Sequence, residues 1–281
     1  MKFTNANSFK AKIKNLAKEK GLPPQQMQQI YLIEEVIRTI SESDYAGSFI
    51  IKGGYLIGNM IGVDKRTTMD LDVTVKGFYL TEENVIKVFE DIFSKQNQGF
   101  SFELDRLEPI RKDDQYGGFC LKLNASFENL REVVFIDITT GDTITPQAIE
   151  YRFQSVFSNE TIEILSYNLE TILAEKLEAI LSRGEASTRP RDRYDLFTLS
   201  KVYKGQIDFP LLYKAILNTF NKRGTIEYLN GWRGQVEKIQ GSDYQAHLWS
   251  KYQKQFIYAR EISFEESVQA IEHMMENLPI T

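Results

Sequence analysis

The spacing of hydrophobic residues predicts both helices and strands in the first part of the chain. Apolar positions recur every three or four residues in segments 8–20 and 25–43, and this spacing predicts two helices. The apolar run Phe49–Ile51 then predicts a strand, the paired glycines 53–54 predict a turn, and residues 55–61 follow as a helix. We therefore expect a strand–turn–helix unit soon after the two opening helices.

Residues 68–75 alternate strictly between apolar and polar positions, which predicts a strand with one buried face. On such a strand, the three apolar residues face a core. Asp70 and Asp72 then lie side by side on the opposite face. The pattern thus predicts two neighbouring carboxylates held on a rigid element.

The middle of the chain is also predicted to contain both helices and strands, and the hydrophobic spacing of the remainder is that of helices. We predict a helix over residues 81–93, strands over 100–107 and 118–125 on either side of a polar turn at 111–115, and a β-rich run over 131–142. From Tyr151 onward, the spacing indicates helices almost to the C-terminus. The fold class is therefore predicted to be α+β, with domains at residues 1–155 and 156–281.

Composition narrows the class of protein. The 281 residues are 42 % hydrophobic and 26 % charged, which is typical of a soluble globular protein. The single cysteine, Cys120, permits no intramolecular disulfide, and no signal segment or long apolar run is present, so we expect a cytoplasmic protein and no membrane partner. A net charge of -5 argues against general coating of nucleic acid but allows a local basic patch.

The glycine pair and the two acids together suggest a nucleoside triphosphate site. Gly53 and Gly54 let the backbone approach a ligand, and the helix behind them directs free N–H groups at a phosphate. Asp70 and Asp72 offer oxygen ligands of the kind that Mg²⁺ accepts. The alternative is that the acids belong to a solvated strand face and the glycines to an ordinary turn. Their order and close spacing favour the site.

Asp137 is a third candidate ligand, because it stands alone inside the β-rich run. A carboxylate beside a core needs a counter-charge or a metal. The alternative is an edge strand on which Asp137 faces solvent.

The helical half contains a lysine with two possible roles. Lys176 falls on the apolar stripe of the helix predicted at residues 168–183, where it either extends its ammonium to the surface or meets a triphosphate in a cleft. The helix that begins near Pro190 has Asp192 in its first turn, where the dipole alone can explain an acid. The strongest basic cluster surrounds it and either tracks an RNA backbone or forms a salt-bridged surface: Arg183, Arg189, Arg191 and Arg193.

Five motifs in a fixed order carry a family resemblance: Lys52-Gly53-Gly54, Arg66-x-Thr68-x-Asp70-x-Asp72, Phe135–Thr139, Ala174–Ala179 and Arg191–Asp195. With them, the chain resembles the AbiEii toxins, which belong to the DNA polymerase β-like nucleotidyltransferases. The resemblance implies a nucleotidyltransferase domain with a mixed β-sheet and flanking helices, followed by a mainly helical domain that contributes the lysine and aspartate motifs. It also implies a bacterial toxin with an antitoxin encoded nearby, which need not form a stable complex with it.

Carried over by motif, the resemblance assigns roles to individual residues. The expected metal ligands are Asp70, Asp72 and Asp137; the expected catalytic residues are these three with Lys176, Asp192 and Asp195; the expected nucleotide-binding residues are Lys52, Gly53, Gly54, Arg66, Thr68 and Lys176. The motif does not decide whether Asp192 or Asp195 is essential. Gly54 departs from the common Gly-Ser pair, so backbone N–H groups and Thr68 would have to contact the phosphates.

The function that we predict is Mg²⁺-dependent nucleotidyl transfer through two metal ions. The nucleotide is GTP or a pyrimidine nucleoside triphosphate, and the acceptor is an RNA, namely the 3′ end of tRNA. Such a transfer would block growth and give abortive infection by phage. Two alternatives stay open at this point: transfer of AMP or GMP to a protein hydroxyl, and a nucleotide-binding module without turnover.

Overall fold

The computed structural model describes residues 3–94, 99–110 and 117–279, and the polar turn predicted at 111–115 lies outside them. The chain divides into two compact units. Unit 1 comprises Met1–Asp142 and Ile149–Ser166, and unit 2 comprises Thr143–Ala148 and Tyr167–Thr281. The sequence prediction placed one boundary at residue 155, whereas the structure shows the chain passing between the units three times.

In its described residues, unit 1 combines four helices with a sheet. Its helices are α1 (Ala6–Lys20), α2 (Pro24–Ser41), α3 (Gly53–Ile61) and α4 (Glu82–Phe93). Its strands are β1 (Phe49–Lys52), β2 (Asp70–Val75), β3 (Ser101–Ile110), β4 (Gly118–Phe127), β5 (Leu130–Thr139), β6 (Ile149–Gln154) and β7 (Thr161–Ser166). Apolar spacing explains the helices, and the side chain of Thr81 caps α4 at the start of the helix predicted over residues 81–93.

The seven strands form one mixed sheet in the order β3-β4-β5-β2-β1-β7-β6. β1 pairs antiparallel with β2 and parallel with β7, and β2 pairs parallel with β5. This arrangement confirms the predicted α+β class and the mixed sheet. It also places β2 and β5, which carry the candidate acids, in the interior of the sheet.

The expectation of continuous helix from Tyr151 is wrong, because β6 and β7 are strands. Both strands are only six residues long, and polar residues occupy every second position of β6, whereas Ile164 and Leu165 are adjacent in β7. Ile162 and Ile164 are buried on β7, and Phe153 is buried on β6. These few apolar residues are too short a pattern to outweigh the long helical spacing that follows them. Strand pairing decides their conformation, that of β7 with β1 and that of β6 with β7.

The core of unit 1 fixes the face on which the acids lie. Leu71, Val73, Ile136 and Ile138 are fully buried. Each such side chain stabilises the fold by about 1.5–3 kcal/mol. Because side chains alternate along a strand, the register that buries these four residues turns the aspartates between them to the opposite face.

Unit 2 is built from seven helices within the part of the chain that the structure describes: α5 (Leu169–Arg183), α6 (Pro190–Val202), α7 (Phe209–Arg223), α8 (Ile226–Asn230), α9 (Trp232–Gln240), α10 (Asp243–Gln255) and α11 (Phe264–Glu276). Asn168 caps α5, and its amide also donates to the carbonyl oxygens of Thr145 and Gln147. A capping box formed by Ser263 and Glu266 begins α11. Across residues 3–94, 99–110 and 117–279, no helix has the length and apolar character needed to cross a membrane.

Candidate active site

The turn between β1 and α3 requires a glycine at position 53. Gly53 has a φ of +67°, and a Cβ at this position would overlap the carboxylate of Asp72. The Asp72 carboxylate therefore lies against the first residue of α3, where the helix dipole favours negative charge. Lys52, at the N-cap of α3, makes no side-chain capping bond. The turn thus combines a close backbone approach with the N-terminus of a helix, as a phosphate site does.

Gly54 is bordered by two polar side chains. A Cβ at Gly54 would lie 3.0 Å from the hydroxyl oxygen of Thr68 and 3.1 Å from a guanidinium nitrogen of Arg66. The buried Arg66 also donates to the carbonyl oxygen of Thr67. Thr68 and Arg66 therefore occupy the position where a serine side chain would stand at residue 54. The structure thereby places a hydroxyl and a cation beside the glycine that lacks its own hydroxyl.

The three candidate acids lie on one face of the sheet. In the parallel pairing of β2 and β5, Asp72 is the partner of Asp137 and Asp70 is the partner of Phe135. Directly paired strands lie roughly 4.8 Å apart. Asp70 is exposed, while Asp72 and Asp137 are half-buried. Since β5 lies between β4 and β2, the alternative that places Asp137 on an edge strand is wrong.

The chemistry of these acids suits a magnesium ion, although they form no closed cage. Among the residues that the structure describes, no group of three or more His, Cys, Asp or Glu side chains is arranged to hold a metal. Mg²⁺ requires only one or two carboxylates, because water and substrate phosphate complete its shell. Asp72 and Asp137, paired in register, provide oxygen donors of this kind. The residues present therefore fit the ion, and metal binding itself stays a prediction.

Lys52 belongs to a buried polar cluster beneath the turn. Its ammonium donates to the hydroxyl of Thr139 at 2.6 Å and forms a close ion pair with Asp142. The hydroxyl of Thr74 contacts the same carboxylate. Lys52 was expected to bind nucleotide, but these contacts tie it to the ends of β2 and β5. Asp142 carried no predicted role, because the sequence does not show which lysine its carboxylate meets.

Cys120 is a neighbour of the acids that the sequence analysis missed. It is the strand partner of Asp137 on β4, and its thiol donates a hydrogen bond to that carboxylate. Burial, followed by the hydrogen bond and negative charge of Asp137, raises the pKa of Cys120 to about 12. Only the pairing of β4 with β5 could have revealed this contact. From the sequence alone, this cysteine indicates only that an intramolecular disulfide is excluded.

Lys176 ends between two carboxylates of α6. Its Nζ lies 2.7 Å from Oδ1 of Asp192 and 2.7 Å from Oδ2 of Asp195. The side chain is only 16 % exposed, so the alternative in which Lys176 extends to the surface is wrong. Whether Lys176 also meets a triphosphate stays a prediction. We call this group the Lys176 cluster.

The two aspartates of the Lys176 cluster have different surroundings. Asp195 is fully buried. The buried Oδ2 atom of Asp192 accepts no hydrogen bond from the described residues and lies 3.8 Å from Nη1 of Arg183. Asp195 is therefore suited to hold the lysine in place, whereas Asp192 keeps an acceptor atom for another group.

The basic cluster around these aspartates is divided between surface and core. Arg193 is only 2 % exposed, and its guanidinium lies over the rings of Trp249 and Phe264. It donates to the side-chain oxygen of Gln245, and burial lowers its pKa to about 10. The interpretation of four surface arginines that track RNA is therefore wrong for Arg193. Arg183, Arg189 and Arg191 are exposed.

Comparison with known proteins identifies the fold and the family. A candidate nucleotidyltransferase from H. pylori has a similar structure, with 14 % identity, coverage of 91 % of this chain and 95 % of its own, and a TM-score of 0.51. The protein JHP933 from Helicobacter pylori matches at 14 % identity over 91 % of this chain and 92 % of its own, with a TM-score of 0.51. At this identity the likeness shows the fold alone.

No curated protein matches the chain. The family model described as the nucleotidyl transferase AbiEii toxin of the type IV toxin–antitoxin systems matches residues 35–271. This range contains all five motifs from Lys52 to Asp195 and confirms the resemblance seen in the sequence. The chain therefore belongs to the AbiEii nucleotidyl transferase toxins.

Proposed function

We propose that the protein transfers a nucleotide from a nucleoside triphosphate to a hydroxyl group of RNA, in a reaction that depends on Mg²⁺. The observation that carries the proposal is the pairing of Asp72 with Asp137, next to the turn at Gly53. Two carboxylates and a helix N-terminus in one place suit a bound metal and a bound phosphate respectively.

Each part of this face has a separate task in the proposal. The backbone N–H groups at Gly53 and Gly54, with Thr68 and Arg66 beside them, hold the phosphates. Asp70, Asp72 and Asp137 would hold the metal ions, which would supply positive charge to the reacting oxygens. Lys52 acts as a positioning residue, because its ammonium is already paired with Asp142 inside the sheet.

The proposed reaction exchanges one P–O bond for another. The acceptor hydroxyl oxygen forms a bond to the α-phosphorus, and the bond between that phosphorus and the bridging oxygen of the β-phosphate breaks. Pyrophosphate leaves with the electron pair. The hydroxyl proton goes to Asp137, which returns it to water after transfer, so each added nucleotide releases one pyrophosphate and one proton.

The finer identity of substrate and setting rests on the family. AbiEii membership supports an RNA acceptor, which we propose to be the 3′ end of tRNA, and a nucleotide that is GTP or a pyrimidine triphosphate. The toxin would act in the bacterial cytoplasm, with an antitoxin encoded nearby, and its activity would arrest growth and limit phage.

We also propose that Lys176 and Asp192 act in nucleotide binding. The support for this proposal is the set of contacts within the Lys176 cluster. Asp195 is fully buried and contacts Lys176 directly, so it would affect the nucleotide only through that lysine. Asp192→Asn changes the carboxylate whose Oδ2 atom accepts no hydrogen bond from the described residues, with little change of shape. Asp195→Asn changes the fully buried carboxylate that contacts Lys176. A larger loss of nucleotide affinity in Asp192→Asn than in Asp195→Asn, measured at equal folded fraction, would support this division.

The function is tested by incubating the purified protein with total RNA, Mg²⁺ and each α-labelled nucleoside triphosphate in turn. We expect one nucleotide to give label that nuclease removes and protease does not, with release of pyrophosphate. Asp72→Asn should reduce labelling at least about 100-fold, as loss of a metal ligand predicts. Glu163→Gln, which changes an exposed acid on β7, is the matched control and should leave labelling unchanged.

Other outcomes would contradict the proposal. Label that resists nuclease but is lost with protease would identify a protein acceptor. If the protein binds nucleotide but releases pyrophosphate from none of the four triphosphates, it is a binding module without turnover.

A further inference from the structure

An aromatic residue stands beside the acids on the open face of the sheet. Phe135 is 39 % exposed, although it lies in the interior strand β5 next to the fully buried Ile136. It is the strand partner of Asp70 on β2 and of Lys122 on β4. A single exposed apolar residue is common in proteins, but this one is fixed between a candidate metal ligand and a cation.

The neighbouring strands provide positive charge on the same face. Lys122 forms an ion pair with Asp105 at 2.6 Å and is the strand partner of Arg106. Arg106 in turn pairs with Glu108 at 2.8 Å, and all four side chains are more than a quarter exposed. Ion pairs with this exposure stabilise a fold by only about 0–1 kcal/mol, so a phosphate group can replace the carboxylate partner.

The order of the strands separates two sides of the acid row. The phosphate-binding turn follows β1, the acids lie on β2 and β5, and Phe135 and Lys122 lie on β5 and β4. In an in-line displacement, the entering oxygen and the leaving pyrophosphate stand on opposite sides of the α-phosphorus. When a triphosphate is held at Gly53, the acceptor must therefore approach from the opposite side, where Phe135 lies.

We propose that Phe135 and Lys122 form the acceptor-binding surface for single-stranded RNA. A base near the 3′ end stacks on the ring of Phe135, and a phosphate of the same strand pairs with Lys122. Aromatic rings combined with cations are the usual way in which proteins hold single-stranded nucleic acid. The inference rests on the proposed function, because it names the surface that brings the RNA hydroxyl to the acids.

The experiment compares two variants of Phe135 that both keep an apolar side chain. Phe135→Leu removes the aromatic face, and Phe135→Tyr retains it. Binding of a fluorescent single-stranded RNA oligonucleotide is measured by anisotropy in EDTA, where no transfer occurs, and KM values for RNA and nucleotide are measured with Mg²⁺. We expect Phe135→Leu to weaken RNA binding and raise the KM for RNA about 5- to 100-fold, with the KM for nucleotide unchanged. Phe135→Tyr should stay within about twofold of the parent protein.

Two further variants separate charge from stacking. Lys122→Ala should weaken RNA binding about two- to fivefold at low salt, and the difference should shrink as salt rises. Ile149→Ala is the matched control, since Ile149 is 40 % exposed on β6 of the same sheet, and it should leave RNA binding unchanged.

Specific results would overturn the acceptor surface. Equal RNA affinity of Phe135→Leu and the parent protein would contradict the proposal. A rise confined to the KM for nucleotide would also contradict it, because that result would place Phe135 at the nucleotide base. Failure of the parent protein to label any RNA would instead contradict the proposed function, while the anisotropy measurement would still decide the surface.

Discussion

Two groups of carboxylates in this protein illustrate opposite uses of the same side chain. On the sheet, Asp70, Asp72 and Asp137 lie exposed or half-buried on one face, near a helix N-terminus. In the Lys176 cluster, Asp192 and Asp195 are buried, and an ammonium lies between them. The first group retains access to an external cation, and the second is neutralised within the fold.

Because the two groups of carboxylates differ in burial, substitutions in them should affect stability and activity differently. Acids held in a row by strand pairing repel one another, so removing one should hardly disturb the fold. Removing a member of a buried ion pair leaves an uncompensated charge without water around it. Variants of the sheet acids should therefore fold and lose activity, whereas variants of the Lys176 cluster should lose stability first.

The largest expected effect is that of Lys176→Met. The substitution leaves the carboxylates of Asp192 and Asp195 buried without their ammonium and should lower the free energy of unfolding by about 3–5 kcal/mol. Urea unfolding followed by circular dichroism measures the change. Lys238→Met, at an exposed position of α9, is the control and should change stability by less than about 0.5 kcal/mol. A loss below about 1 kcal/mol in Lys176→Met would show that the cluster is not a buried ion pair in solution.

The glycine turn should be the next most sensitive position. Gly53→Ala combines a strained positive φ with overlap of the Asp72 carboxylate, whereas Gly21→Ala has almost the same φ, +66°, and open space around it. Gly21→Ala should destabilise by about 1–2 kcal/mol from the left-handed conformation alone. Gly53→Ala should lose at least about 1 kcal/mol more in the same unfolding assay, because the Asp72 side chain must move. Equal losses would remove the contact with Asp72 as the reason for this glycine.

Asp70→Ala and Asp72→Ala should hardly change the stability of the fold but should abolish toxicity. In the absence of metal, we expect the melting temperature to stay the same or to rise, because one of several clustered negative charges is gone. Thermal unfolding in EDTA and growth of cells that express each variant measure the two properties. A soluble variant that keeps full toxicity would contradict the assignment of the sheet acids as metal ligands.

The smallest predicted effect concerns the contact between Cys120 and Asp137. Because the pKa of Cys120 is raised to about 12, its thiol is almost wholly protonated at pH 8, and its alkylation should accelerate about tenfold for each added pH unit up to that pKa. Asp137→Asn removes the negative charge and should speed alkylation severalfold at pH 8 in EDTA, while the effect of burial remains. An unchanged rate in Asp137→Asn, measured by mass spectrometry, would show that the two side chains do not meet.

Local periodicity was sufficient to predict those features that depend on neighbouring residues. Strict alternation places Asp70 and Asp72 on one face of β2, and the structure bears out that strand and its buried apolar face. The glycines, the cap of α4 and the capping box at Ser263 follow from similar short-range rules. The assignment of catalytic and metal-binding roles to these acids remains a prediction.

Features that depend on distant pairing could not be predicted in this way. The sequence shows Lys176 on an apolar stripe, but its partners lie on another helix, so only the fold reveals the buried ion pair. Asp142 and Cys120 gain their contacts through strand pairing in the same manner. The strands β6 and β7 were missed because their conformation depends on pairing, of β7 with β1 and of β6 with β7, more than on their own spacing.

The position of β1 between β2 and β7 has a consequence for synthesis of the toxin on the ribosome. Ile50 pairs with Leu165, which is added 115 residues later, the difference between the two residue numbers. At translation rates of about 5–20 residues per second, roughly 6–23 s separate the two additions. By the end of that interval the nascent chain contains Asp70, Asp72 and Asp137, but one edge of β1 stays unpaired until β7 has been made. The order of translation therefore delays completion of this sheet, and with it the onset of toxicity, until most of the message has been read.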